Sequence, residues 1–160
     1  MKKGFTLVEL LIVMAVIAAL MAVATPMAMN AVRTAKASQI AQNLSALTSA
    51  VEQYVYTEKK VPRSINDLKD YLTIFDTIKK TYILRYNKPT GSSDLFDNTG
   101  KATIVIVYNG KDVTPTAVAN QYTLAGTITT TSIYADGDSA YSGFADKYLP
   151  GATVTVMKWW

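Results

Sequence analysis

From residue 10 to residue 32 the chain carries no charge, and nearly every position is Leu, Ile, Val, Met or Ala. An α-helix of about 20 such residues crosses the ~30 Å hydrocarbon core of a bilayer, so the run predicts a membrane-spanning start. Glu9 stands directly ahead of it. A carboxylate near hydrocarbon is expensive and points to a function and a partner. Pro26 falls in the last third of the run. It lacks a backbone donor and predicts a kink or local opening, which membrane helices tolerate when neighbours satisfy the freed groups.

From residue 30 the pattern changes period. Ile40, Leu44, Leu47, Val51 and Tyr54 recur at steps of four and three, one face of a helix. Gln39, Gln42, Asn43, Ser45, Ser49, Glu52 and Gln53 fill most of the opposite face. Residues 5–58 therefore read as one helix of roughly 80 Å at 1.5 Å per residue. Its first half is apolar all round and its second half is one-sided, the second forming the spine of a small core.

Lys59-Lys60-Val61-Pro62 ends that helix. Ser64 with Asp67 three residues on resembles a capping box, and a short helix is expected over 65–72. Residues 81–86 and 102–108 are rich in β-branched and aromatic side chains and read as strands, the second followed by the turn pair Asn109-Gly110. Residues 127–135 and 152–158 read as further strands. Residues 114–125 stay open between helix and strand, with Thr114 as cap, Pro115 as first residue and Gly126 as stop favouring a short helix. The expected fold class is α+β: a long N-terminal helix packed against a roughly four-stranded antiparallel sheet.

Composition narrows the chemistry. The 160 residues include no cysteine and no histidine. Disulfides and cysteine metal sites are excluded, as are most hydrolase triads and zinc sites, which rely on imidazole. No phosphate-binding loop occurs, and no enzyme and no cofactor are expected. The net charge of +4 is mild, with basic residues interleaved with acids as in Asp67-Leu68-Lys69-Asp70. That is a solvated face and not the clustered stripe of a nucleic-acid binder.

The first segment admits three readings. One is a plain membrane anchor, for which Lys2 and Lys3 on one flank and Arg33 and Lys36 on the other give little orientation. Another is a secretory signal peptide cut after Ala22-Val23-Ala24, against which stand Glu9 and the helical pattern continuing past the cut. The third rests on Gly4-Phe5-Thr6-Leu7-Val8-Glu9 after a short basic leader. With the apolar helix that follows, this resembles the type IV prepilin signature, and the resemblance is the reading preferred here.

The resemblance implies that a prepilin peptidase cuts between Gly4 and Phe5 and methylates the new amine of Phe5. A residue without Cβ at the cut lets the protease approach the backbone closely. Residues 1–4 would be a removed leader, 5–29 the transmembrane and filament-core helix, and 30–160 the globular domain. The function implied is a structural subunit of a type IV pilus-like surface filament, of the kind that serves adhesion or motility. The subunit would polymerise into a helical homo-oligomer with the help of the pilus assembly machinery. It would begin in the cytoplasmic (inner) membrane and end in an extracellular pilus. Phe5, Glu9 and Pro26 would be the assembly residues, Glu9 pairing with the Phe5 amine of a neighbouring subunit. Ala18 stands where many members carry glycine. The alternatives are a pseudopilin of a type II secretion or DNA-uptake system and a monomeric anchored domain that binds an extracellular ligand.

Two further groups complete the candidates. Asp136 and Asp138 could belong to a calcium loop, but the string lacks the full spacing of such a loop, and a plain turn is preferred. Trp159-Trp160 ends the chain after an alternating strand, so one ring is expected to pack and the other to face outward.

Overall fold

The computed structural model describes residues 5–86, 96, 99–110, 112–122, 125–129 and 148–159. The chain divides into two compact units, residues 1–35 and residues 36–160. One helix, α1 (Leu7–Glu58), contributes to both.

In the first unit every described residue is exposed. Helix α1 runs unbroken through Pro26, so the expected local opening is absent from the single chain. A proline inside a helix withdraws one donor, and only the carbonyl four residues before it loses a partner. Next to it, the Thr25 hydroxyl donates back to the Met21 carbonyl at 2.8 Å. Thr34 repeats this bond to the Asn30 carbonyl at 3.0 Å.

The second unit is built on residues 36–58 of α1. Ile40, Leu44, Leu47 and Val51 are buried, as their spacing predicts, and Tyr54 is half-buried. Ala37, Ala41, Thr48, Ala50 and Val55 widen the stripe. Small side chains at these positions let neighbouring elements come close. The helix ends on a left-handed residue, Lys59 at φ 55°, whose N–H donates to the Val55 carbonyl at 3.0 Å. That is the αL stop in which glycine is the usual occupant, and Pro62 follows as such stops favour.

The short helix expected over 65–72 forms at Ile65–Tyr71 as a 3₁₀ helix, tighter than an α-helix. Its capping box is present: Ser64 Oγ accepts the Asn66 N–H at 3.2 Å, and Asp67 Oδ2 accepts the Ser64 and Arg63 N–H groups at 3.2 and 2.7 Å. A short helix α2 (Phe75–Ile78) leads into β1 (Tyr82–Tyr86). Then come β2 (Lys101–Tyr108), α3 (Pro115–Ala119), β3 (Ala125–Thr129) and β4 (Tyr148–Met157). The sheet order is β1-β2-β4-β3 with every pair antiparallel.

The open stretch resolves as helix followed by strand. Pro115 opens α3 as expected, but Gly126 is not its stop. It lies within β3 opposite Gly151. The strand expected over 127–135 begins two residues earlier, and its part beyond residue 129 lies outside the described residues.

Ala102, Ile104 and Ile106 of β2 join Ala152, Val154 and Val156 of β4 and the α1 stripe in one core. Alternation sends Thr153, Thr155 and Met157 to the exposed face. Each Å² of apolar area that this layer of helix on sheet removes from water contributes about 25 cal/mol to the unit's stability. A second apolar row, Ile83, Val105 and Val107, is buried outside that core.

Candidate assembly site

Among the sequence candidates, Phe5, Glu9 and Pro26 lie in the described part of the first unit. Phe5 is 83% exposed. Glu9 sits in the first turn of α1, where it is held by Thr6. The Thr6 N–H donates to Glu9 Oε2 at 2.9 Å and the Thr6 hydroxyl to the same oxygen at 2.8 Å. In return the Glu9 N–H donates to Thr6 Oγ1 at 3.3 Å. This is a reciprocal capping box, with a hydroxyl at the cap and a carboxylate three residues on.

The arrangement changes the status of Glu9. A carboxylate beside hydrocarbon must find donors or a cation. Here two donors come from its own chain, and the N-terminal end of the helix dipole adds a favourable field. Thr6 was the residue that sequence reasoning passed over. Its signal was the Thr-x-x-Glu spacing of Thr6 and Glu9 directly before an apolar run, read only as part of the prepilin signature.

Pro26 lies seventeen positions beyond Glu9 on the same helix, roughly 25 Å along its axis. The structure does not bring the two together. Gly4 falls outside the described residues, as do Asp136, Asp138 and Trp160. The tryptophan expectation is half tested. Trp159 is exposed and follows the end of β4 at Met157, so strand alternation does not govern it.

A second cluster, not anticipated, ties α1 to the sheet. Asp112 Oδ1 accepts the Tyr108 hydroxyl at 2.8 Å and Asp112 Oδ2 the Lys36 ammonium at 3.1 Å. Asn43 Nδ2 donates to the Tyr82 hydroxyl at 3.1 Å, and the Tyr82 and Tyr108 rings lie 5.2 Å apart. The Tyr108 hydrogen bond and then Lys36 hold the Asp112 carboxyl below its usual range. Burial pushes the Tyr82 phenol up to about 12 and raises Tyr108 as well, the latter helped by the Asp112 carboxylate. These groups fasten α1 to the sheet.

Among the described residues, one helix is long and apolar enough to cross a membrane, and it is α1. Residues 1–25 match the prokaryotic N-terminal methylation motif, the leader of type IV pilins and pseudopilins. The match covers the leader and the first turns of α1. Neither the curated proteins nor the solved structures offer a match to the chain.

Proposed function

We propose that this chain, which carries a prepilin-type leader, is the structural subunit of a type IV pilus-like surface filament. The single observation that carries the reading is the bare apolar first half of α1 with one carboxylate at its start, set inside the methylation motif. The leader and this helix fit a membrane-anchored precursor. A helix that is apolar all round needs lipid or other helices around it.

In this reading the peptidase cuts after Gly4 and the amine of Phe5 becomes the new, methylated terminus. Assembly then moves the helix from lipid into a bundle of its copies. Lipid tails and apolar helices are similar surroundings, so this exchange brings little net hydrophobic gain. Register must come from elsewhere, and an ion pair in a low-dielectric bundle is strongly position-dependent. The bonds from Thr6 fall on Glu9 Oε2, and the other oxygen can accept the Phe5 amine of a neighbouring copy. Pro26 would let the helix open locally once packed among neighbours that satisfy the freed carbonyl. The role is structural and not catalytic.

Intact mass tests the first step. The mature chain should lack Met1 to Gly4 and carry one added methyl. A mature start at Thr25 would instead establish cleavage as a secretory signal, and an uncut chain would make α1 a permanent anchor.

A further inference from the structure

Of the chain's asparagines, Asn109 alone is followed by glycine. The pair comes directly after β2 ends at Tyr108, and both residues are half-buried. The Asn109 N–H is fixed to the Thr81 carbonyl at 2.8 Å. The groups that follow it are unrestrained. Neither the Asn109 side-chain amide nor the Gly110 N–H has a hydrogen-bond partner among the described residues. The glycine is required by the fold. A Cβ on Gly110 would run into the Tyr108 ring, whose hydroxyl donates to Asp112. The ring that fastens this turn to Asp112 therefore keeps a residue without a side chain behind Asn109. Asn43 is the contrast: its side chain donates to Tyr82 at 3.1 Å, and Leu44 follows it inside α1.

We propose that Asn109 is a self-modification site, its side-chain amide converted to a carboxylate by the Gly110 nitrogen and water. An amide nitrogen becomes a nucleophile when hydroxide removes its proton. Attack within one chain benefits from the proximity of the reacting groups, and glycine leaves the approach clear of a Cβ. The Gly110 nitrogen bonds to Asn109 Cγ and closes a cyclic imide. The Cγ–Nδ2 bond breaks, and ammonia leaves after taking a proton from solvent in place of the one Gly110 lost. Water then opens the ring. Breaking the new N–Cγ bond gives Asp in a normal backbone. Breaking the bond to the Asn109 carbonyl carbon gives isoaspartate, with an extra methylene in the main chain. Either product places a new carboxylate near Asp112, which is already paired with Lys36. The inference does not depend on assembly, because both reacting groups belong to one chain.

The full chain, folded in detergent, is incubated at mildly alkaline pH and digested with trypsin. Residues 102–111 then form a peptide in which Asn109 is the only asparagine. Each digest is compared with that of unincubated protein. Peptide masses should show amide-to-acid conversion at Asn109 about tenfold faster than at Asn43 or Asn120, or ~1.4 kcal/mol in activation free energy. Isoaspartyl methyltransferase should label part of the converted peptide. Gly110→Ala should slow the conversion several-fold in urea, where the clash with Tyr108 no longer acts. Conversion no faster than at Asn120, or confined to the urea-unfolded chain, would overturn the proposal. So would an undiminished rate in Gly110→Ala, or Asp formed without isoaspartate, which would mean direct hydrolysis without Gly110.

Discussion

Thr6 and Glu9 hold each other at the start of α1: both the hydroxyl and the amide of Thr6 donate to one carboxylate oxygen, at 2.8 and 2.9 Å. A capping residue of this type contributes about 0.5–2 kcal/mol to helix stability. Thr6→Ala should therefore leave Glu9 less well held, lower filament yield, and leave cleavage after Gly4 intact. Thr6→Ser keeps the hydroxyl and should restore the yield. Immunoblots of sheared and cell-bound fractions, with intact masses, separate assembly from processing. Normal yield from Thr6→Ala would make the capping box incidental to assembly.

Glu9→Ala removes the carboxylate itself. We expect the protein to insert and be cut normally but to form no filaments alone, because breaking an ion pair held in low dielectric costs about 3–5 kcal/mol. Normal filaments in normal amounts would reduce Glu9 to an interfacial residue.

Residues 30–160 without the apolar helix should fold as a soluble monomer. In it, Leu47→Ala should lose roughly 2–5 kcal/mol, as large-to-small changes at fully buried positions do, since Leu47 is completely enclosed. Urea unfolding measures this directly. A loss below about half a kcal/mol would mean the stripe does not form the core.

Lys59 offers a change of opposite sign. A non-glycine residue in the left-handed region is strained by roughly 1–2 kcal/mol, and Lys59 sits there at φ 55°. Lys59→Gly relieves this while giving up the contact with Trp159 and adding freedom to the unfolded chain. A net gain of about half a kcal/mol is expected from the same unfolding curves.

The tyrosine pair sets the alkaline limit. Tyr82 is raised from 10.0 to about 12 by burial, so the fold favours its neutral form. Stability from this group is fully present below pH ~10 and is lost as pH rises toward 12. Phenolate absorbance should show a late step that disappears in Tyr82→Phe. Asp112 acts at the other end. Its folded value lies below the ordinary 3.8, so its contribution is present above that pH and fades as acid protonates it. Both Asp112 and Lys36 are more than two-fifths exposed, so Asp112→Asn should cost at most about 1 kcal/mol.

Periodicity made α1 legible, because its two halves differ in how many faces are apolar. Strands β2 and β4 were legible from dense β-branched runs. The opening of β3 was not, since a glycine reads equally as a helix stop and as a strand residue, and the pairing of Gly126 with Gly151 decides for the second. The link from Lys36 to Asp112 spans 76 positions, beyond any local pattern. The Thr6–Glu9 box was legible in principle, but the same residues also read as part of the prepilin signature.

Electron microscopy of material sheared from the surface of cells that express this chain tests the central claim most directly. The account predicts filaments composed of the chain beginning at Phe5, and their absence when Glu9 is replaced by Ala. The chain found only in the membrane fraction, with no filaments in the sheared material, would contradict it.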